Sequence, residues 1–369
     1  MDEDVRQLGR YKIVRRLGAG GMAEVYLARG HGASGFEKNV AIKTIKPEHR
    51  GIPERERILI EEARLGARLD HRNLVTVHEL GIDRGTYWVC MEFVDGADLA
   101  QLLRADTPPE PLALLIAEEL ALALEYVHTR TDDQGRPLGL VHRDVSPSNI
   151  LVSRAGEVKL CDFGIAKATL LAEATLANAR KGKYAYMSPE QIAGAPLTPS
   201  SDQFGLGVTL VELLSGRRPF DGDGVFATME RIKAAEPPPL TDLPADVRAI
   251  ALRCLARHPS ARWSSGRDLR RALAEARRAH PVVGPPELGA WVCERLDAAA
   301  GPGQDEPVLD RTVTVTEIHH RAEQAVAPPP TPSPTPSAEP PTPAAPARGF
   351  WARLRGRPRR SGREDPEPE

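Results

Sequence analysis

One stretch in the middle of the chain decides the fold, and it reads Val141-His142-Arg143-Asp144-Val145-Ser146-Pro147-Ser148-Asn149. It is followed, after a short gap, by Cys161-Asp162-Phe163-Gly164. The first aspartate is a candidate base, while the asparagine and the second aspartate, in a tight turn, supply two oxygen ligands of the kind that Mg²⁺ prefers. Together the two stretches predict a site that combines a base with a magnesium ion.

A glycine-rich turn lies upstream and reads Leu17-Gly18-Ala19-Gly20-Gly21-Met22-Ala23-Glu24-Val25. Glycines let the backbone approach phosphate oxygens and present N–H groups to them. Taken alone the pattern is weak, because an ordinary hairpin turn or another nucleotide fold carries it equally well. Ala23 also stands where the usual pattern has its third glycine.

A lysine, Lys43, ends the otherwise apolar run Val40-Ala41-Ile42. One interpretation is an ordinary lysine at the edge of a strand. The other is a phosphate-binding ammonium, which needs a carboxylate partner to hold it. Glu62, on the inward face of a predicted helix at 53–69, is the expected partner, and Glu61 is the alternative.

The hydrophobic pattern changes character near residue 98. Before it, five short strands are predicted at 11–17, 24–29, 39–45, 75–80 and 86–93, and the helix at 53–69 lies among them. Beyond it the pattern turns helical at 98–103, 111–129, 201–215, 224–234, 244–256 and 265–278, with short strands at 149–153 and 157–161. We expect an α+β fold in which a small antiparallel sheet lobe with one helix lies over a mainly helical lobe, leaving a ligand cleft between them.

With these motifs in this order, residues 11–273 resemble the protein kinase family in its eukaryotic-like bacterial branch. The stretch Met187-Ser188-Pro189-Glu190 stands where that family has its A-P-E motif. The resemblance implies the bilobal kinase fold and ATP- and Mg²⁺-dependent phosphoryl transfer to serine or threonine hydroxyls of proteins, with autophosphorylation.

The resemblance also assigns roles to individual residues. Lys43 would contact the α- and β-phosphates of ATP and pair with Glu62, Asn149 and Asp162 would hold Mg²⁺, and Asp144 would accept the proton of the attacking hydroxyl. The remaining nucleotide-binding residues would be Leu17, Gly18, Ala19, Gly20, Gly21, Met22, Ala23, Glu24 and Val25 of the turn, Ala41 above the purine, Met91 as gatekeeper, Glu92 and Val94 at the hinge, and Asp98 at the ribose. Two further matches are structural: Glu190 would pair with Arg262, and Asp202 would cap the backbone of the catalytic loop.

The chain departs from the family pattern at two positions near the base. Ser146 stands where serine/threonine kinases usually have a lysine, and Lys183 stands where they have a threonine. Since those family positions face each other across the aspartate, we expect that the pair is exchanged, with Lys183 as the phosphate-stabilising cation and Ser146 holding it. A solvent-facing Lys183 is the alternative.

These departures, with Ala23, are the only features that favour a second function, a pseudokinase scaffold that binds nucleotide and partners without catalysis. A small-molecule phosphotransferase is disfavoured by the glycine-rich turn together with Ser188-Pro189-Glu190.

Regulation by phosphorylation is expected in the activation segment, residues 162–190. Arg143 could pair with a phosphate on Thr169 or Thr175 and order this segment. The alternative is that both threonines are solvated loop residues.

The rest of the chain is divided by composition. We expect a leader at 1–10, a kinase domain at 11–280 (lobes 11–94 and 95–280), an extension with a short helix at 281–326, a Pro-rich linker at 327–346 and a tail at 347–369 that is first basic and then acidic.

A net charge of −2 argues against nucleic-acid binding. Four scattered cysteines and the lack of a long apolar run predict a cytoplasmic protein without a transmembrane segment.

The tail is expected to act as a tether and to take no part in catalysis. Its seven arginines within 348–363, with Phe350, Trp351 and Leu354 among them, suit an anionic membrane surface, to which the protein would attach peripherally, or an acidic protein patch. A merely solvated basic tail is an equal alternative. Thr312, Thr314 and Thr316 are candidate autophosphorylation sites for a phosphothreonine-binding partner.

Overall fold

A six-stranded antiparallel sheet forms the first lobe. The computed structural model describes residues 7–32, 35–164 and 183–300. The strands are β1 (Gln7–Leu8), β2 (Tyr11–Ala19), β3 (Ala23–His31), β4 (Glu37–Ile45), β5 (Val77–Asp83) and β6 (Thr86–Glu92), in the order β1-β2-β3-β4-β6-β5. Strand β4 therefore lies between β3 and β6, and Lys43 sits opposite Val25 on one side and Val89 on the other.

Strand β1 lies within residues 1–10, where the sequence pattern predicted no strand. Gln7 and Leu8 pair with Lys12 and Tyr11, because Gly9 has a φ of 55° and closes a tight turn between the strands. The Cα of Gly9 lies under the indole of Trp88, and a Cβ added at Gly9 would be only 2.9 Å from a carbon of that ring. A strand of two residues has no periodicity, so the sequence pattern could not predict it.

The single helix of this lobe, α1 (Pro53–Gly66), packs on β4, β5 and β6. Proline at its first position is compatible with a helix start, since that N–H would have no partner within the helix. Ile58, Leu59 and Ala63 are buried on its inner face. The same face carries Glu62 toward the sheet.

The second lobe is built from eight helices within the described residues. They are α2 (Leu99–Leu102), α3 (Glu110–His128), α4 (Pro189–Ile192), α5 (Pro199–Ser215), α6 (Val225–Ala234), α7 (Ala245–Cys254), α8 (Gly266–Arg277) and α9 (Pro285–Ala300). Helix α3 is buried along most of its length and packs on α5 and α8. Three more strands, β7 (Gly96–Asp98), β8 (Ile150–Ser153) and β9 (Val158–Leu160), form a small sheet, and Leu160 of β9 lines the same cavity as Lys43.

Two structural contacts expected from the sequence are confirmed in this lobe, an ion pair and a capped loop. Glu190 and Arg262 form a bidentate ion pair with N–O distances of 2.6 and 2.9 Å, and Arg262 is one of the largest fully buried side chains. The hydroxyl of Ser201 adds a hydrogen bond to Glu190 at 2.8 Å. Asp202 caps the catalytic loop by accepting backbone N–H groups from it. These contacts join the segment after the active site to the centre of the helical lobe.

Helix α9 lies beyond the last expected kinase helix and belongs to the same hydrophobic core. Its Leu288, Trp291 and Val292 are buried there, at the spacing of one helix face. The helix approaches the turn between β8 and β9 so closely that a Cβ on Gly289 would be 2.5 Å from the carbonyl oxygen of Arg154. The expected short helix in 281–326 is thus a 16-residue helix built into the lobe.

Within the described ranges, no helix has the length and apolar character needed to cross a membrane. The predicted linker, the Arg-rich tail and the candidate phosphorylation sites Thr312, Thr314 and Thr316 lie outside the described residues.

Candidate active site

Lys43 is held between two carboxylates at the bottom of the cleft. Its Nζ lies 2.8 Å from Glu62 Oε1 and 2.7 Å from Asp162 Oδ1, and the residue is only 8% exposed. Burial disfavours the charge, but Asp162 and Glu62 outweigh it and raise the pKa of Lys43 above its usual value. Glu61, the alternative partner, is directed outward and pairs with Arg57 at 3.0 Å.

The two acids beside Lys43 differ in their environment. Burial raises the pKa of Glu62 to about 7, although the neighbouring ammonium lowers it. Asp162 has a φ of 58°, a left-handed conformation that is unusual for a residue with a side chain. Such backbone positions cluster at functional sites, where the surrounding structure must hold them in place.

The residues around Asp144 form a compact loop that is hydrogen-bonded to the segment on both sides of Asp162. Asp144 is buried, and its backbone carbonyl accepts a hydrogen bond from Asn149 Nδ2 at 2.9 Å. Because the amide nitrogen is used in this way, Asn149 Oδ1 is the atom left to bind a ligand. The N–H of Cys161 donates to the carbonyl of Asn149 at 2.9 Å, which places Asp162 next to the asparagine.

His142 joins the loop to the segment before Asp162. Its Nε2 lies 3.1 Å from the carbonyl oxygen of Cys161, and its Nδ1 accepts from the N–H of Asp144 at 3.3 Å. Burial lowers the pKa of His142, so the ring is neutral near pH 7. The neutral tautomer with the proton on Nε2 satisfies both contacts. The ring also contacts Phe163, with centroids 4.7 Å apart.

Asp202, from the first turn of α5, fixes the backbone of the same loop. Its two oxygens accept the N–H groups of His142 and Arg143, each at 2.7 Å, and Oδ2 also lies 2.7 Å from His128 Nε2. The carbonyl of Arg143 accepts from Gln191 Nε2 at 2.8 Å. Arg143 has a φ of 70°, so these contacts hold a strained backbone next to the base.

Sequence reasoning missed the role of Gln191. Ser188 and Gln191 form a capping box at the start of α4, in which the Gln191 side chain accepts the N–H of Ser188 at 2.9 Å. The S-x-x-Q pattern was visible in the sequence and predicts such a helix start. It did not indicate that the same amide would reach back to the catalytic loop, which lies far away in sequence.

Most of the predicted nucleotide-binding residues lie in the strands and turns of the first lobe. The glycine-rich turn joins β2 and β3, and Gly18 sits opposite Val25 in the sheet. The turn is closed by a hydrogen bond from the N–H of Gly20 to the carbonyl of Ala23 at 2.7 Å. Ala23, at the third glycine position, does not adopt the positive φ that would favour glycine. Ala41 is buried and sits opposite Met91 in the neighbouring strand.

The hinge residues after β6 have contacts that the sequence did not predict. The side chain of Glu92 pairs with Lys159 at 2.9 Å, which leaves only its backbone for a purine. Asp98 caps α2 by accepting the N–H of Gln101 at 2.8 Å, and burial raises its pKa. The structure thus shows Asp98 in a helix cap, while a contact with ribose stays a prediction.

The two departures from the family pattern are only partly described. Ser146 is buried, with its Oγ 3.5 Å from Asp144 Oδ1 and 3.2 Å from Ser148 Oγ. Lys183 begins a short 3₁₀ helix, Lys183–Tyr186, but its side chain lies outside the described part of the structure. Thr169 and Thr175 also lie outside the described residues. The exchanged pair and the regulatory phosphates therefore stay predictions.

The oxygen atoms present fit a magnesium ion that is shared with phosphate. In the described ranges no group of three or more His, Cys, Asp or Glu side chains could hold a metal alone. Mg²⁺ does not need such a group, because it is commonly bound by one or two protein oxygens together with substrate phosphates and water. Asn149 and Asp162 supply such oxygens, next to an ammonium that suits phosphate.

Comparison with known proteins agrees with the fold and the site. The family described as protein kinase domain matches residues 11–278. The chain is 40% identical over 278 residues to the tyrosine-protein kinase MasK of Myxococcus xanthus, covering 72% of this chain and 42% of MasK. It is 36% identical over 266 residues to the serine/threonine-protein kinase PrkC of Bacillus subtilis (71% and 39%) and 37% identical over 276 residues to PknA of Mycobacterium tuberculosis (73% and 62%).

Solved structures give the same result. The kinase domain of Mycobacterium tuberculosis PknI superposes with a TM-score of 0.57 at 29% identity, covering 76% of this chain and 100% of that one. The fold and the site thus define a protein kinase domain. The chain belongs to the protein kinase family, in its eukaryotic-like bacterial serine/threonine branch. It spans less than two thirds of the length of these curated relatives.

Proposed function

We propose that this protein transfers the γ-phosphoryl group of ATP to serine or threonine hydroxyls of proteins, including its own, in a signalling role. The observation that carries the proposal is Lys43, bridged at 2.8 and 2.7 Å to Glu62 and Asp162. A buried ammonium fixed by two acids is suited to neutralising phosphate charge, because few water molecules compete with it.

The residues of the catalytic loop, with Asp162, have the remaining roles in the proposed reaction. Asp144 orients the attacking hydroxyl and takes its proton, with its backbone held by Asn149, His142 and the contacts of Asp202. Asn149 Oδ1 and Asp162 would hold Mg²⁺, which neutralises charge on the transferring phosphoryl group when bound. Since phosphoryl transfer depends mainly on positioning and electrostatics, this rigid loop supplies what the reaction needs.

The choice of serine and threonine over tyrosine rests on similarity to PrkC and PknA. One relative of higher identity carries the name of a tyrosine kinase. Ser146 also replaces the lysine usual in serine/threonine kinases. The identity of the phosphorylated amino acid is therefore a sharp test of the proposal.

The test is to incubate the protein with Mg²⁺, [γ-³²P]ATP and a generic protein substrate, and to identify the labelled amino acids. We expect phosphoserine and phosphothreonine from the natural protein. Asp144→Asn should lower labelling by roughly 10²-fold or more, because the base contributes about that factor. Asp246→Asn, at an exposed aspartate on α7, is the matched control and should not change it.

Two results would contradict the proposal. Labelling only on tyrosine would refute the substrate class. Equal labelling by the natural protein and Asp144→Asn, or no labelling by either although ATP binds, would refute catalysis and favour the scaffold function.

A further inference from the structure

An open groove of about 800 Å³ lies on the large lobe, apart from the nucleotide cleft. Its walls come from the end of α2, the catalytic stretch and the segment that follows α5. Its lining includes Arg104, Ser148, Tyr186, Glu212, Arg217 and Arg218.

The groove begins next to the proposed base. Ser148 lines it, and Ser148 Oγ lies 3.2 Å from Ser146 Oγ, which in turn lies 3.5 Å from Asp144 Oδ1. An extended peptide advances about 3.3 Å per residue. A peptide whose hydroxyl contacts Asp144 would therefore place a side chain about two residues away at the mouth of the groove.

The two acidic side chains of the groove are already engaged. Glu212 accepts a hydrogen bond from the Tyr186 hydroxyl at 2.5 Å, and Asp221 pairs with Arg218 at 2.7 Å. Burial raises the pKa of Glu212, which weakens it as a site for a cationic side chain. Neither acid is therefore well placed to attract a basic substrate residue.

Two cations of the groove are in the opposite situation. Arg104 and Arg217 are exposed, and neither has an ion pair with any other residue that the structure describes. A guanidinium offers two parallel N–H groups that match a carboxylate, so both residues can bind an acidic side chain without breaking an ion pair with a described residue. Among the described residues the groove therefore presents two arginines outside any ion pair, although Arg104 also attracts the carboxylate of Asp98.

We infer that this groove selects protein substrates that carry an acidic side chain about two residues from the phosphorylated hydroxyl, with Arg104 and Arg217 as its ligands. The occupant of the groove is an acidic segment of a substrate protein. That the occupant is a substrate rests on the proposed function, and that it is acidic rests on the charges of the groove.

The first test compares serine peptides that carry Glu or Gln two residues before, or two residues after, the serine. We expect kcat/KM to be at least tenfold higher for the Glu peptide of one pair, and to decrease toward the Gln value as salt is raised. The double variant Arg104→Ala with Arg217→Ala should reduce the ratio of kcat/KM for the Glu peptide to kcat/KM for the Gln peptide to below threefold. Arg271→Ala, at an exposed arginine on α8 outside the groove, should leave the ratio unchanged.

The second test does not depend on catalysis. Fluorescently labelled versions of the same peptides, with Ala in place of Ser, are titrated with the protein and followed by anisotropy. We expect at least fivefold tighter binding of the Glu peptide, lost in the double arginine variant.

Equal binding of the Glu and Gln peptides would overturn the inference. So would tighter binding of a peptide with Arg at the same position, if Glu212→Gln abolishes it. Tight binding of the Glu peptide without labelling of any peptide or protein would leave the groove assignment standing and refute the proposed function instead.

Discussion

Replacing Asp202 by asparagine should destabilise the fold and the catalytic loop together. The carboxylate accepts two backbone N–H groups at 2.7 Å and contacts His128 at the same distance. Hydrogen bonds to a charged group contribute about 1.5–3 kcal/mol each, and a buried N–H left without a partner costs about 1–3 kcal/mol. Asparagine keeps one acceptor oxygen and turns an NH₂ group toward the other N–H. We expect a loss of about 3–5 kcal/mol from the free energy of unfolding.

The assay is denaturant unfolding of the natural protein and the variant, with kcat measured on the folded fraction. Turnover should decrease more than the affinity for ATP, because the residue acts on the loop and not on the nucleotide. Asp246→Asn is the control, and its free energy should change by less than about 0.5 kcal/mol. A loss of less than about 1 kcal/mol in Asp202→Asn, with unchanged kcat, would refute the reasoning.

The effect has a definite pH dependence. Burial would raise the pKa of Asp202, but the hydrogen bonds from His128 and the backbone lower it below its usual value. A lowered pKa means that the stabilisation is present above about pH 4, the value in the unfolded chain, and is lost as pH falls through the folded-state pKa. The difference between the natural protein and Asp202→Asn should therefore not shrink as the pH falls from about 8 to 5, because the carboxylate stays charged over that range. A difference that shrinks over this range would contradict this cause.

Two further predictions test other parts of the account. Gly289→Val should cost about 1–3 kcal/mol in unfolding free energy, because its side chain meets the carbonyl of Arg154; unchanged stability would show that α9 does not pack as described. Lys183→Thr should lower turnover roughly 10²-fold, and adding Ser146→Lys should restore part of it, if the two residues are an exchanged pair. A loss below about threefold, or a double variant no better than the single one, would make Lys183 a surface residue.

The residues closest to the chemistry were the most predictable from sequence. Asp144, Asn149 and Asp162 lie in short contiguous motifs, so their proximity follows from a few local turns. Glu62 was harder, since Glu61 is adjacent and differs by about 100° of helix rotation. The inward face of α1, with Ile58 and Leu59 buried, favours Glu62, and the structure places it against Lys43.

Contacts between distant segments were not predictable in the same way. Gln191 bonding Arg143, Lys159 pairing with Glu92, and α9 packing on the β8–β9 turn each depend on how separate elements pack. Local propensity and periodicity carry no information about such pairs. The strand at Gln7–Leu8 was missed for a different reason, its length.

The most direct test of the account compares two buried lysines. Lys43 and Lys159 are 8% and 7% exposed, and each pairs with a glutamate, but only Lys43 faces the proposed phosphate site. We predict that Lys43→Met lowers phosphoryl transfer by about 10²-fold or more, while Lys159→Met stays within about fivefold of the natural protein at a similar loss of thermal stability. Equal transfer rates for the two variants would contradict the claim that Lys43, Glu62 and Asp162 form the phosphate-binding centre.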